Sequence, residues 1–424
     1  MINKLVQILN NNKKIIENFS YLSLLRIFSL LFPLFTYPYL LRVLGFEIYG
    51  SVVFAQSISA FSAIIINFGF NISGTKDVAC NKDDVFALSK IVSSIYSIKF
   101  LLWLGCLFFY FLLVLFVPFL REDKLLYLIS FFLTFNELLF PSWFFQGIEK
   151  MKYITFINIG VRLLFVISIF LFVKTKSDYL LVPVINSIGG LFGGVISMYV
   201  VFFKEKILFI KQSYKTLQEF FYDSLPLFLS SLSTQIYVNA NKIFVGSFLG
   251  MTEVAIYDLG EKITSIMKIP VGMISQATFP KISREKNISF INKIMLLTTI
   301  SISLTYIILY FNSNWIVKVL SGSFNTQAVD ILRILSFSVI ISALNLFLGS
   351  NRLVPFGYKK AFVLNAFFNS VFFILGFGFL WLFSFITLYT LSYLYLAAEL
   401  FVLGLNLHKS FKFKLFFSSK YDVN

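Results

Sequence analysis

The stretch IVSSIYSIKFLLWLGCLFFYFLLVLFVP, residues 91–118, holds a single charged side chain, Lys99. A continuous apolar run of that length crosses the hydrocarbon core of a bilayer as a helix, whereas the core helices of globular proteins are usually shorter. Eleven more runs of similar character fill the chain, at 19–44, 49–72, 125–146, 151–173, 179–203, 222–249, 254–280, 290–312, 329–350, 360–384 and 386–407. The composition agrees. With 58% hydrophobic and 13% charged residues and a mean hydropathy of +0.84, there is too little polar surface to cover a soluble core of 424 residues. The first run is too long, and Arg26, Pro33 and Pro38 too disruptive, for the apolar region of a cleavable signal. The reading is an all-α integral membrane protein of about 12 transmembrane helices.

An even number of spans puts both termini on one side. The loops on that side hold about 23 Lys and Arg, from Lys4 to Lys420, against 6 opposite: Arg42, Arg121, Lys124, Lys174, Lys176 and Lys318. Cytoplasmic termini are therefore expected. The net charge of +16 then records topology and attraction to anionic lipids, and no nucleic-acid partner is expected. Cys80 and Cys106 offer no disulfide framework and read as packing residues. His408, the only histidine, has no clustered partner for zinc, and no phosphate-binding glycine loop is present. No cofactor is expected.

The longest polar interruption, Lys204 to Asp223, divides the runs into two sets of six. This gives a first lobe at 1–203, a linker at 204–221, a second lobe at 222–407 and a basic tail at 408–424. Ile207, Leu208, Phe209, Ile210, Tyr214 and Leu217 make the linker amphipathic, so it should lie along the inner membrane surface. Leu44-Gly45-Phe46-Glu47 and Leu249-Gly250-Met251-Thr252 occupy corresponding outer turns of the two sets. Both turns fall on the same side, so the two six-helix lobes should be related by a pseudo-twofold along the membrane normal.

Charged side chains within a membrane are costly and usually face a bundle interior or a watery cavity. The eighth run carries Asp258, Glu261, Lys262, Ser265, Lys268, Ser275 and Gln276 at steps that build one polar face. The seventh offers a matching stripe in Ser231, Gln235, Asn239 and Lys242. Because the two runs meet in a short outer turn, Lys242 and Asp258 lie at comparable depth and can pair. Arg26 comes about a third of the way in from the cytoplasm, and the prolines after it suggest kinks. Glu137 and Arg162 both fall near mid-depth, where they either form a stabilising ion pair or act in transport. Lys99 and Arg333 read as snorkelling anchors, and Glu399 ranks with them below the stripe. Tyr37, Tyr39 and Trp143 fit interfacial aromatic belts. Arg26, Lys242, Lys262 and Lys268 are the candidate substrate-binding residues, because an excess of lumenal cations suits a substrate with phosphate groups.

Three motifs in order carry a resemblance: PYLLRVLGFEIYG at 38–50, FGFNISGTK at 68–76 and PSWFFQGIEKM at 141–151. The sequence resembles the bacterial polysaccharide-export flippases, the O-antigen flippases of the MATE-like (multidrug/oligosaccharidyl-lipid/polysaccharide) superfamily. That resemblance implies translocation of an undecaprenyl-diphosphate-linked oligosaccharide from the cytoplasmic to the periplasmic leaflet of the inner membrane by alternating access. It also implies coupling to protons or sodium, for which Asp258 and Glu261 are the candidates. Membrane lipids, a polysaccharide polymerase and a chain-length regulator are the further expected partners. Arg42, Glu47 and Gly50 carry over only as family landmarks. Two alternatives stay open. A cation-coupled multidrug antiporter would use acidic groups such as Asp258 and Glu261, and a glycosyl-transferring membrane enzyme would carry a large outer loop that the run boundaries leave no room for.

Overall fold

The computed structural model of the chain describes residues 13–416. Lys4, Lys420 and the end of the basic tail lie outside the described residues. The helices are α1 Lys13–Asn67, α2 Phe70–Cys80, α3 Val85–Phe116, α4 Lys124–Phe131, α5 Phe135–Leu139, α6 Ser142–Gly147, α7 Met151–Phe172, α8 Leu181–Tyr199, α9 Tyr214–Phe248, α10 Met251–Glu285, α11 Ile288–Ser321, α12 Thr326–Leu348, α13 Lys359–Leu382 and α14 Leu388–Lys412. All twelve apolar runs fall on these segments, and no strand occurs among the described residues. Nine segments among the described residues are long and apolar enough to cross a membrane, the first of them covering two runs. α9 and α10 are not among the nine. Their polar stripes lower their hydropathy, although each has 35 residues and is about 52 Å long at the helical rise.

The ends of the helices follow from local chemistry. Asp84 caps α3 by accepting from the amides of Phe86 and Ala87 at 2.9 and 3.0 Å, and Asn287 and Asn325 do the same for α11 and α12. α1 loses helical geometry at Gly45, with φ 78° and ψ 169°, not at Pro33 or Pro38. Gly250, before α10, has φ 122° and ψ 175°. Both values fall in a backbone region open essentially to glycine alone, so the two matching turns share one conformation as well as a sequence pattern.

The fourth run, read as one helix, is interrupted twice. A 3₁₀ turn at Phe132–Thr134 separates α4 from α5, and Pro141, which lacks an N–H, separates α5 from α6. Residues 205–213 form no helix. Leu208 and Ile210 instead donate their amides to Ser89 and Ser93 of α3 at 3.0 and 2.8 Å, so this part of the linker is bonded to the protein, and α9 begins already at Tyr214.

The chain divides into two compact units. One holds the described residues through Gly45 together with Ala55–Leu232; the other holds Phe46–Phe54 together with the described residues from Ser233 onward. In the first unit Trp143, Phe144 and Phe145 are fully buried. Trp143 is thus not an interfacial belt residue. It packs on α2, where a Cβ at Gly74 would come within 3.0 Å of its ring, and Thr75 donates to its carbonyl at 3.3 Å. Two of the motifs that carried the family resemblance are therefore the two sides of one packing contact. In the second unit α10, α12 and α14 supply the core, with Tyr257, Leu332 and Ala398 among its buried residues.

Candidate functional site

The second unit gathers the stripe of α10 around Asp258. Its carboxylate is 1% exposed and lies 3.1 Å from Lys242 Nζ and 2.8 Å from Lys262 Nζ. Lys242 also approaches Glu261 at 2.8 Å. The pairing of Lys242 with Asp258 that their depth allowed is present. It belongs to a four-membered cluster of two lysines and two acids, and the cluster is locally neutral.

A fifth member was not found from the sequence. Tyr49 donates to Asp258 Oδ2 at 3.1 Å and accepts from Lys262 Nζ at 3.3 Å. Its position depends on Gly50, where a Cβ would collide with the Met251 carbonyl. Only a glycine lets the Phe46–Phe54 segment come this close to the start of α10. The signal was available, because Tyr49 and Gly50 close the first family motif, but nothing in the sequence showed what the motif touches.

Lys268 sits ten residues further along α10, about 15 Å from the level of Asp258. It donates to Tyr395 at 2.9 Å and lies 3.5 Å from Glu399 Oε1. Asn345 of α12 holds the same carboxylate at 3.0 Å, and the chain continues through Asn406 and Asn365 at 3.3 and 2.9 Å. The sequence reading ranked Glu399 below the stripe. The structure makes it the partner of a stripe residue, because Glu399 of α14 faces α10 and α12.

In the first unit Arg26 is exposed on α1. The proposed Glu137–Arg162 bridge does not form. The break at Phe132–Thr134 turns α5 so that Glu137 accepts from Asn67 of α1 at 2.9 Å instead. Lys99 is no snorkelling anchor either: it is 1% exposed and donates to the Glu137 carbonyl at 2.8 Å. Arg333 donates to Ser313 at 2.8 Å and lies over the Tyr310 ring. Among the described residues no group of three or more His, Cys, Asp or Glu could hold a metal ion.

Similar proteins can be set beside this geometry. A protein named "Putative O-antigen transporter" from Escherichia coli (strain K12) is 28% identical over 84% of this chain and 87% of its own length. One of the same name from Shigella dysenteriae is 29% identical over 62% of this chain and 66% of its own. Among solved structures, the lipid II flippase MurJ in an inward closed conformation superposes with a TM-score of 0.75 at 16% identity, over 93% of this chain and 88% of that one. An inward-facing multidrug resistance MATE family transporter of the MOP superfamily gives a TM-score of 0.67 at 14% identity, over 91% and 94%. These two likenesses concern the fold. Residues 15–286, well over half of the sequence and including the Tyr49–Lys242–Asp258–Lys262 cluster, match the family described as "Polysaccharide biosynthesis protein", and the chain belongs to that family.

Proposed function

We propose that the chain is a flippase that carries an undecaprenyl-diphosphate-linked oligosaccharide, an O-antigen or related repeat unit, from the cytoplasmic to the periplasmic leaflet. It is a multi-pass membrane transporter of polysaccharide biosynthesis, not an enzyme. The observation that carries the finer reading is the neutral cluster of Lys242, Asp258, Glu261 and Lys262 on helices that are otherwise long enough to span a bilayer. A sugar head group and its charged diphosphate cannot enter hydrocarbon, so a polar path beside the bilayer must shield them while the prenyl tail stays in lipid.

In this reading Asp258 and Glu261 act as internal stand-ins for the substrate phosphates. A proton or sodium ion taken up by either acid frees a lysine, and the freed lysine binds the diphosphate through charge-assisted hydrogen bonds. Ion uptake by an acid and phosphate binding by the lysine it releases then favour each other, which is a thermodynamic linkage between the two. Lys268 and Arg26 are proposed as further phosphate contacts. The two lobes, the pseudo-twofold between them, the inner-membrane location, the cytoplasmic termini and the polymerase and chain-length partners belong to the same proposal.

The test is deletion of the gene followed by analysis of lipid-linked glycans in each leaflet. The repeat unit should accumulate on the cytoplasmic face, and an Asp258→Asn/Glu261→Gln protein should fail to clear it. Increased drug sensitivity with no accumulated glycan would favour the multidrug antiporter and reject the flippase.

A further inference from the structure

At the end of the second unit where α10, α12 and α14 finish and α11 and α13 begin, the transport reading leaves one guanidinium unused. α12 passes there into a π-helical segment, Gly349–Leu353, a local departure that is frequent at functional sites. Arg352 lies in it with 0% of its surface exposed. Its Nη2 donates to Asn292 of α11, and its Cζ lies 4.7 Å from the centre of the Phe416 ring. Nε and Nη1 have no hydrogen-bond partner. The side chain of Asn351, next in sequence, likewise keeps an unpartnered Nδ2 while its Oδ1 accepts from Ser275 at 2.9 Å.

A guanidinium stays charged, so its N–H groups need acceptors, and burying it without an anion is costly. This end of the unit supplies almost none. Residues 281–293, 352–360 and 409–414 hold ten Lys and Arg against a single acid, Glu285, and that acid is already engaged by Lys281 and Arg284 at 3.9 and 3.2 Å. Basic pockets between transmembrane helices on a cytoplasmic side are where anionic head groups bind.

We propose that this end of the second unit holds a phosphate-binding site centred on the Arg352 guanidinium, beside the Phe416 ring. The ligand chemistry is a phosphate group, carried either by a soluble phosphate compound or by an anionic lipid head group. The proposal rests on the buried donors and the local excess of cations, and does not depend on the flippase reading.

Thermal unfolding of the purified full-length protein tests it. In detergent, sodium pyrophosphate is titrated at constant ionic strength; in nanodiscs, phosphatidylcholine alone is compared with phosphatidylcholine plus phosphatidylglycerol. The wild type should show a saturable rise of its unfolding midpoint with at least one of the two. A response to pyrophosphate assigns a soluble phosphate, and a response to phosphatidylglycerol alone assigns a head group. Arg352→Gln should abolish the response. Arg352→Lys keeps a cation of similar length, should fold, and should weaken the response about tenfold because the guanidinium's array of donors is lost. A wild type that responds to neither probe, or variants that respond as the wild type does, overturns the proposal.

Discussion

Asp258→Asn keeps the shape of the side chain and the hydrogen bond from Tyr49, but takes from Lys262 the carboxylate it pairs with and leaves Lys242 with Glu261. Removing one partner of a buried ion pair costs about 3–5 kcal/mol. Two features of the cluster reduce that figure. Lys262 is 35% exposed, so water screens its share, and Lys242 retains Glu261 at 2.8 Å. A loss of about 2 kcal/mol is therefore expected. The excess positive charge is the cause, so adding Lys262→Gln should restore about 1–2 kcal/mol, a coupling of the size seen between residues in direct contact. The assay is a double-mutant cycle of Asp258→Asn and Lys262→Gln, followed by unfolding in mixed micelles. If the two substitutions add to within about 0.5 kcal/mol, the residues are not energetically coupled and the neutral-cluster argument fails.

Three further outcomes are expected. Gly50→Ala should lower membrane protein level and export together, by a destabilisation of about 3 kcal/mol or more, because the added methyl meets the Met251 carbonyl and not a movable side chain; a normal protein level would be inconsistent with this packing. With Cys80 and Cys106 removed, Lys268→Cys should react with a membrane-impermeant thiol reagent and Lys99→Cys should not, given side-chain exposure of 32% for Lys268 and residue exposure of 1% for Lys99; equal labelling would count against the assignment of faces. A reporter fused after Asn424 that works only in the periplasm should stay silent, and strong activity would reverse the topology drawn from the Lys and Arg distribution.

The helices were legible because the apolar runs are long and uninterrupted, and periodicity needs no partner to be read. What touches what was not legible. Glu137 and Arg162 stood at the same depth, yet a three-residue 3₁₀ turn redirected the carboxylate to Asn67. Depth along a helix fixes one coordinate and leaves rotation free. Lys99 failed for a related reason. A lone lysine in an apolar run is usually drawn to the nearest interface, but the carbonyl of Glu137 offered an acceptor inside the first unit. Lys242 and Asp258 could be placed together because the turn at Leu249-Gly250 is short, and a short turn fixes the neighbouring faces of the two helices it joins. Tyr49 and Glu399 could not, since each reaches the stripe of α10 from a part of the chain more than 100 residues away.

The local neutrality of the cluster bears on how a carrier of charged lipids could be built at all. Four unpaired cations at membrane depth would each be costly to insert, and would hold a diphosphate too firmly to release it on the far side. Pairing Lys242 and Lys262 with Asp258 and Glu261 offsets part of that cost for these two. In the proposed transport cycle the acids also compete with the substrate phosphates for the lysines. Affinity for the phosphate then becomes a difference between two sets of charge-assisted bonds, not their full strength, so binding and release can both occur at modest free energy. On α9 and α10 the Lys and Arg are matched by as many Asp and Glu, so the number of cations matters less than which of them an acid can reclaim, and Asp258, which contacts two lysines and a tyrosine at once, is the residue best placed to do so.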